Sequence, residues 1–114
     1  MSIEELCDKY KIRNYTINDD GSIDVNESVF LNGQADSANP DGLTHIPLKF
    51  NKVDGHFDCS HNIINTLEGS PKYVTGNFYC ESNSLMSLEG CPERIGGAFD
   101  CSNNGLKSLK GSPK

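Results

Sequence analysis

Apolar and polar positions repeat every 21 residues along the second half of the chain, and three units follow one another in register. Each unit opens on a glycine, places a phenylalanine two residues later and a cysteine two residues after that. The matching positions are Gly55, Gly76 and Gly97; Phe57, Phe78 and Phe99; Cys59, Cys80 and Cys101; Asn62, Asn83 and Asn104; Ile64, Leu85 and Leu106; Leu67, Leu88 and Leu109; Gly69, Gly90 and Gly111; and Pro71, Pro92 and Pro113. Such a period is typical of a solenoid, in which each unit buries its apolar side against the next.

Within each unit, phenylalanine and cysteine alternate with polar residues, which predicts one short strand of a parallel sheet per unit. Phe57 and Cys59 are then expected to point inward, and Asp58 and Ser60 outward. The stacked asparagines are expected to satisfy backbone groups at a bend that water cannot reach. The structural ladders are therefore Phe57, Phe78 and Phe99; Cys59, Cys80 and Cys101; and Asn62, Asn83 and Asn104.

A helix is predicted at the start of the chain, from Ser2 to about Arg13. Ser2 and Glu5 have the spacing of a capping box. The apolar residues that follow at helical spacing are Ile3, Leu6, Cys7 and Tyr10. Because so short a helix is marginal alone, we expect its apolar stripe to cover the open end of the first coil.

An alternating stretch with a turn signal follows the helix and predicts a β-hairpin. Its first strand contains Tyr15 and Ile17, and its second contains Ile23 and Val25. The turn between them is the sequence NDDG at residues 18–21.

A degenerate first coil is predicted between the hairpin and the first full unit. Val29 and Leu31 occupy the places of Phe57 and Cys59, but seven additional residues lie within segment 32–42. Insertions in repeat proteins form surface loops, and this one is either part of a binding face or a loop without a function. The resulting boundaries are an N-terminal cap over residues 1–54, with helix, hairpin and degenerate coil, and repeats over residues 55–75, 76–96 and 97–114.

Charge is distributed unevenly along the 114 residues, whose formal net charge is −6. Residues 1–42 contain nine acids and three bases, whereas residues 43–114 contain seven of each. The sequence has no basic stripe for nucleic acid or anionic lipid, so neither is an expected partner. It also has no apolar stretch long enough to cross a membrane and no signal-peptide pattern, which predicts a cytoplasmic protein.

Three of the five cysteines lie on the repeat. Equivalent side chains on adjacent parallel strands lie about 4.8 Å apart but point the same way, so a disulfide between them would be strained. We therefore expect a reduced, buried ladder, in keeping with a cytosolic protein. Cys7 falls on the predicted helix and Cys91 in a predicted loop.

Each unit resembles the core of a leucine-rich repeat, L-x-L-x-x-N-x-L, with phenylalanine and cysteine replacing the first two leucines. The matching stretches are FDCSHNII at residues 57–64, FYCESNSL at 78–85 and FDCSNNGL at 99–106. SLEGCPERIGG at residues 87–97 resembles a subtype found in small proteins of tailed bacteriophages and some bacteria, and residues 10–25 resemble the entry module of such phage proteins. The resemblance implies a leucine-rich repeat solenoid, α+β but mostly β, with a capping helix, a hairpin and about three 21-residue coils that share a short parallel sheet. Proteins of this family mostly serve as recognition scaffolds.

The outward positions of the predicted strands differ between units while the positions around them are kept. They are His56, Asp58 and Ser60 in the first unit, Asn77, Tyr79 and Glu81 in the second, and Ala98, Asp100 and Ser102 in the third. A face that varies on a constant frame is expected of a binding surface, and a tyrosine flanked by carboxylates can anchor a partner. The alternative interpretation is a hydrophilic face without a ligand.

Three functions are compatible with these features. The first is a non-enzymatic protein-binding module whose partner, given the phage resemblance, is expected to be a protein of the bacterial host, such as a defence protein. The second is structural self-assembly, in which a homodimer forms through the strand edges of an uncapped last coil ending at Lys114. The third is an acidic mimic of nucleic acid, supported only by the acid-rich segment 14–42.

No motif for catalysis, a metal or a cofactor is found in the sequence. Neither a Ser-His-Asp nor a Cys-His arrangement has a known motif around it, and no glycine loop carries the ending that phosphate binding needs. His56, Cys59 and His61 are close in sequence, but the expected strand points Cys59 inward and His56 outward. We therefore expect no enzyme activity, no metal site and no cofactor.

Overall fold

The computed structural model of the chain describes residues 2–34, 37 and 40–106, and in that part of the chain one helix and nine short strands follow one another. They are α1 (Ile3–Lys9), β1 (Tyr15–Ile17), β2 (Ile23–Val25), β3 (Val29–Phe30), β4 (Phe50–Val53), β5 (Phe57–Asp58), β6 (Tyr73–Val74), β7 (Phe78–Tyr79), β8 (Arg94–Ile95) and β9 (Phe99–Asp100). Sheet 1 has the strand order β1-β2-β4-β6-β8, and sheet 2 has the order β3-β5-β7-β9. The predicted repeat positions Leu109, Gly111 and Pro113 and the chain end at Lys114 lie outside the described residues.

Both sheets pair residues that are one 21-residue unit apart in the sequence. In sheet 2, Phe78 lies opposite Phe57 on one side and Phe99 on the other, and all the strands run parallel. The same spacing relates β4, β6 and β8 in sheet 1. Equivalent side chains therefore lie beside one another from unit to unit.

Sheet 1 was not predicted beyond its hairpin. Its strands β6 and β8 are only two residues long, and in β6 the exposed Tyr73 precedes the buried Val74. Each strand contributes a single inward apolar residue, Val74 or Ile95, so no alternation is visible there, whereas the two-residue strands of sheet 2 are marked by phenylalanine and cysteine two positions apart. The pairing is held by the main chain, where the Thr75 N–H donates to Val53 O at 3.1 Å and the Gly96 N–H donates to Val74 O at 2.8 Å.

The inward side of sheet 2 forms the centre of the core. Phe57 and Phe78 have no exposed surface, and their ring centroids lie 5.5 Å apart with the planes 6° from parallel. Phe99 stacks on Phe78 at 5.7 Å, and Phe50 of sheet 1 meets Phe57 edge-on at 5.1 Å. Such pairs contribute about 0.5–1.5 kcal/mol each beyond the burial of their area. The rings therefore hold neighbouring units, and the two sheets, together.

Each repeat asparagine joins two units through its side-chain amide. Asn83 Nδ2 donates to two carbonyl oxygens of its own unit and one of the preceding unit, at 3.0 to 3.3 Å. Its Oδ1 accepts the Ile64 N–H at 3.0 Å. Asn62 and Asn104 make the same contacts in their own units. The amides thus accept main-chain N–H groups at the bend and add second hydrogen bonds to carbonyl oxygens there, such as Glu81 O, which also accepts the His61 N–H.

The N-terminal helix starts where the sequence predicts it. Ser2 Oγ accepts the Glu5 N–H and Glu5 Oε1 accepts the Ser2 N–H, both at 3.1 Å, which completes the capping box. The bonds satisfy main-chain donors that the start of a helix leaves without a helical partner. Buried Cys7 and the partly buried Ile3 and Leu6 attach one side of the helix to the core.

The helix ends earlier than predicted, at Lys9 instead of near Arg13. Lys11 takes a left-handed φ of 61°, and the Ile12 N–H donates back to Cys7 O at 2.8 Å. This bond and the packing of two buried residues, Ile12 and Cys7, form a Schellman ending, which stops the helix and turns the chain toward β1. No helix in the described part of the chain is long and apolar enough to span a membrane.

The predicted hairpin is confirmed as β1 and β2, which pair antiparallel at one edge of sheet 1. The Gly21 N–H donates to Asn18 O at 3.0 Å, and Gly21 has a φ of 85°, which glycine adopts without strain. β2 then pairs in parallel with β4. β3 extends sheet 2 in the same way, with Val29 opposite Phe57 as the degenerate coil predicts.

The repeat cysteines lie in the core beside the phenylalanines and form no disulfide bond. Cys59 and Cys80 have no exposed surface, and Cys101 is half-buried. Burial raises the pKa of the Cys59 thiol to about 12 and raises that of Cys80 as well. Cys91 is half-buried in a turn, and burial raises its pKa to about 11. Thiols with such pKa values are poor nucleophiles at neutral pH.

Replacement of Asn83 measures what the asparagine bonds contribute to stability. We expect Asn83→Ala to lower the free energy of unfolding by about 1–3 kcal/mol, because the Ile64 N–H loses its acceptor and three carbonyl oxygens each lose one of two hydrogen bonds. Asn83→Asp keeps the acceptor for Ile64 but places a carboxylate oxygen against the three carbonyl oxygens, so it should be at least as harmful. Urea unfolding compares both with Asn65→Ala, which removes an exposed side chain. Equal stability of Asn83→Ala and Asn65→Ala would contradict this role.

The raised thiol pKa values predict a loss of stability at alkaline pH. A cysteine in the unfolded chain releases its proton near pH 9, whereas folded Cys59 keeps its proton up to about pH 12. The folded state binds more protons in this range, so the free energy of unfolding falls as the pH rises above about 9, by up to about 1.4 kcal/mol per pH unit for each such thiol. Urea unfolding in a reducing buffer, between neutral pH and about pH 10.5, measures the slope.

The double variant Cys59→Ala, Cys80→Ala is the control for that slope. It should be less stable than the unchanged protein at neutral pH, because the missing sulfur atoms leave space in the core. Its stability should nevertheless decline less steeply with rising pH. The same slope in both proteins would show that other groups cause the alkaline loss.

Candidate binding surface

The outward side chains of sheet 2 form one continuous face. Its middle row crosses four strands and consists of Phe30, Asp58, Tyr79 and Asp100, which lie opposite one another in the strand register. We call these four residues the acidic row. Because adjacent strands are about 4.8 Å apart, the row is roughly 15 Å long.

Phe30 is the member of the acidic row that the sequence analysis missed. Its side chain is 57% exposed, whereas its neighbour Val29 is buried. The signal was present in the sequence, since Val29 occupies the place of Phe57 and Phe30 therefore occupies the place of Asp58. Aromatic side chains are enriched at the energetic centres of protein interfaces. Phe30 consequently makes this face more suitable for a partner than the predicted residues alone.

Tyr79 lies near the centre of the acidic row, between Asp58 and Asp100, and is partly exposed. Its hydroxyl accepts a hydrogen bond from Asn77 Nδ2 at 2.6 Å. This bond fixes the position of the phenol ring. A ring that is already held in one conformation loses little entropy when a partner covers it.

Asp58 and Asp100 each form the same local turn. Through Oδ1 each accepts the N–H of the serine two residues later, Ser60 or Ser102, at 2.9 Å. Ser102 Oγ also donates to Asp100 at 2.7 Å, and these two bonds from Ser102 hold the pKa of Asp100 below its usual value. The Asp100 carboxylate is therefore ionised at neutral pH. Glu81, half-buried on the neighbouring row of the same face, adds a further carboxylate.

Ser60 does not belong to the exposed face, contrary to the sequence prediction. It is 2% exposed, and its Oγ has no hydrogen-bond partner among the described residues. Main chain runs on both sides of it, because the Gly33 N–H donates to Ser60 O at 3.1 Å and the His61 N–H donates to Glu81 O at 3.0 Å. A side chain this short stays below its neighbours, whereas Ser102, at the equivalent position, is exposed.

His56 and Asn77 use their side chains within the protein. His56 Nδ1 accepts the Asn77 N–H at 2.9 Å, and Asn77 Oδ1 accepts the Ala98 N–H at 2.7 Å. Ser28 Oγ begins this series by accepting the His56 N–H at 3.0 Å. Each side chain thus satisfies a main-chain donor of the next unit, which gives these two predicted contact residues a structural role.

The hydrogen bonds accepted by His56 and Asn77 explain why the second and third units open on glycine. A Cβ at Gly76 would lie 2.6 Å from His56 Nδ1 and 2.8 Å from Gly55 O, and a Cβ at Gly97 would overlap Asn77 Oδ1. Neither Gly76 nor Gly97 has a left-handed φ. At these two positions the close approach of the preceding unit therefore requires glycine, whereas Gly55, which opens the first unit, also has a φ of 153° that favours glycine.

The described ranges contain no group of three or more His, Cys, Asp or Glu residues placed to hold a metal ion. A groove of about 490 Å³ lies apart from the acidic row. Its lining includes buried Ile46 and Leu48 and exposed His45, Lys49 and Glu68. The groove shares no residue with the predicted contact positions.

Comparison of the chain with protein-family models, with curated proteins and with solved structures gave no match. The function is therefore inferred from the residues and contacts of the chain itself.

A double-mutant cycle between Gly97 and Asn77 tests the role of the opening glycine. Gly97→Ala alone is expected to lower the free energy of unfolding by about 1–3 kcal/mol, because its Cβ displaces the Asn77 amide. Asn77→Ala alone should cost about 1 kcal/mol for the lost bond to the Ala98 N–H. In the double variant the added methyl no longer meets the amide, so the combined loss should fall below the sum by at least about 0.5 kcal/mol. Urea unfolding of the four proteins gives the coupling energy.

Gly105→Ala is the matched control for this cycle. A Cβ there would lie 3.8 Å from its nearest neighbour, Leu85 O, which is an ordinary contact. This change should leave stability nearly unaltered. Additive losses at Gly97 and Asn77 would mean that the glycine is needed for a different reason.

Proposed function

We propose that this chain is a non-enzymatic, cytoplasmic protein-binding module of the leucine-rich repeat type, in which stacked 21-residue coils form a solenoid and the acidic row is the contact surface. The observation that carries the proposal is the exposure of two aromatic rings, Phe30 and Tyr79, on a row shared with Asp58 and Asp100. Aromatic residues supply much of the energy of protein interfaces, and charges around them select the partner.

The rigidity of the frame below the row supports a role in recognition. Phe57 and Phe78 stack directly behind the strands, and the asparagine amides fix each unit to the one before it. A preorganised surface loses less conformational entropy on binding than a flexible one. The outward residues also change between units without disturbing the core, so the surface can be adapted to a partner at little cost in stability.

A partner with basic and apolar groups complements the acidic row, since opposite charges steer association and apolar groups cover the rings. We further propose that this partner is a protein of a bacterial host, because the repeats resemble those of small phage proteins. Two alternatives stay open. Self-assembly through the last coil concerns residues outside the described ranges, and mimicry of nucleic acid is supported only by the acids of residues 14–42.

The proposal is tested by comparing what the protein and a surface variant capture from a bacterial lysate. The variant is Phe30→Ala together with Tyr79→Ala, and the captured proteins are quantified by mass spectrometry. We expect at least one protein to be retained by the unchanged chain and lost by the variant. With that partner purified, the double change should weaken binding about 30-fold or more, the effect of removing an aromatic anchor.

The control removes two exposed apolar side chains that lie off the acidic row, Met86→Ala with Ile63→Ala. This variant should capture the same partner as the unchanged chain. Equal loss in both variants would indicate nonspecific adhesion, and unchanged capture by the Phe30→Ala, Tyr79→Ala variant would exclude the acidic row. A captured DNA-binding protein that is displaced by DNA would favour the mimic instead.

A further inference from the structure

Sheet 1 carries a second outward row with the opposite charge. Lys52, Tyr73 and Arg94 lie opposite one another on β4, β6 and β8. All three are exposed, Tyr73 by 42%. Lys52 Nζ lies 5.9 Å from the centre of the Tyr73 ring, within the range of a cation–π contact. We call these three residues the basic row.

The basic row and the acidic row follow the same 21-residue period, with each basic-row residue six positions before its acidic-row counterpart, and therefore have the same spacing. Along sheet 2 the order is Asp58, Tyr79, Asp100, and along sheet 1 it is Lys52, Tyr73, Arg94. Both rows place a tyrosine between two charges of one sign. Because strands repeat about every 4.8 Å in both sheets, each carboxylate of one row can meet a cation of the other when the two tyrosines face each other.

Two acids close to Lys52 in the sheet or in the sequence, Asp24 and Asp54, accept hydrogen bonds from neutral side chains. Asp24, opposite Lys52 in the sheet, accepts hydrogen bonds from Asn18 Nδ2 at 3.2 Å and Asn51 Nδ2 at 2.8 Å. Asp54 accepts the Thr75 hydroxyl at 2.9 Å. Neither acid makes an ion pair with Lys52 or Arg94 in the described part of the chain. The two cations are thus available to charges from outside the molecule.

We propose that a second copy of this chain docks its acidic row onto the basic row, with Asp58 near Lys52, Tyr79 near Tyr73 and Asp100 near Arg94 of the other copy. The contact goes beyond the proposed function, although it uses one of the same surfaces. It also differs from pairing through the last coil, because it needs only outward side chains of β4 to β9.

The geometry determines what kind of assembly results. The two rows lie on different sheets, so after the first contact one copy keeps its basic row free and the other keeps its acidic row free. Such a heterologous contact continues to further copies unless it closes into a ring. Faces of three short strands bury less than about 1,000 Å², so association is weak and exchanges rapidly. Ion pairs at such a face are screened by salt.

Sedimentation of the full chain, from about 10 µM to 1 mM, tests the proposal at the concentrations where weak interfaces associate. We expect the average mass to rise continuously with concentration, without a plateau at the dimer, and to fall back when about 0.5 M NaCl is added. A mass that stays at the monomer throughout would overturn the proposal. So would an association that salt leaves unchanged.

A charge exchange identifies the surfaces. Variant one is Lys52→Asp with Arg94→Asp, so that both rows become acidic. Variant two is Asp58→Lys with Asp100→Lys, so that both rows become basic. Each variant alone is expected to stay monomeric, while an equimolar mixture regains association comparable to that of the unchanged chain. Monomeric behaviour of the mixture, with both variants folded by circular dichroism, would show that the rows do not meet.

The matched control is Lys9→Asp with Arg13→Asp, which lowers the net charge as much as variant one but lies at the end of α1 and just after it, off the basic row. It should associate like the unchanged chain. If variant two does not fold, because Asp58 and Asp100 accept hydrogen bonds in local turns, the comparison of variant one with this control decides. Equal association of the two would refute the basic row. Capture of another protein by an unchanged chain that stays monomeric throughout would refute the self-contact and leave the proposed function standing.

Discussion

The fold depends on each unit completing the hydrogen bonds of its neighbour. Strands of two residues are too short to hold a sheet by themselves, so amides and rings supply the remaining contacts between units. The Asn83 amide satisfies main-chain groups of two units at once, and Phe78 touches a ring on either side. The first unit has the degenerate segment before it, whose β3 pairs with β5 and whose Leu31 O and Leu43 N–H bond to the Asn62 amide. Stability of this kind is a property of neighbouring pairs and not of single units.

One consequence is that variation between units is not by itself evidence of a binding surface. Ser28, His56 and Asn77 differ in size and chemistry, and a comparison of the units treats them as free positions. In the structure all three do the same thing, because each accepts an N–H from the following unit across a glycine. Three different side chains therefore meet one structural requirement, which is a hydrogen-bond acceptor placed to reach a main-chain N–H of the next unit. Tyr79 and Phe30 do not serve as such acceptors. Their difference from the equivalent residues of other units is therefore better evidence of a binding surface.

The parallel pairing, the inward phenylalanines and the N-terminal elements could be predicted from the sequence, because each depends on spacing alone. The helix end could not, since it depends on the left-handed Lys11 and on the packing of Ile12 against Cys7. The acidic row was predicted only in part. Ser60 was placed on it because alternation gives the direction of a side chain but not what lies beside it. Phe30 was overlooked because only the three full units were compared for outward positions, although the alignment of Val29 with Phe57 puts Phe30 in the place of Asp58.

The two outward rows follow the same 21-residue period, so an additional unit would add one strand, and one outward residue, to each row. A unit with an acid on sheet 2 and a base on sheet 1 would extend both charged faces equally. Under the two proposals, self-contact and capture of another protein compete for the acidic row, so the surface open to a partner shrinks as the protein becomes more concentrated. A partner that binds Phe30 as well as Tyr79 has an advantage in this competition, because the position that continues the basic row beyond Lys52 is the carboxylate Asp24, which is a poor cover for a phenylalanine ring. In this scheme the exposed phenylalanine on β3 separates recognition of a partner from recognition of the chain's own copy.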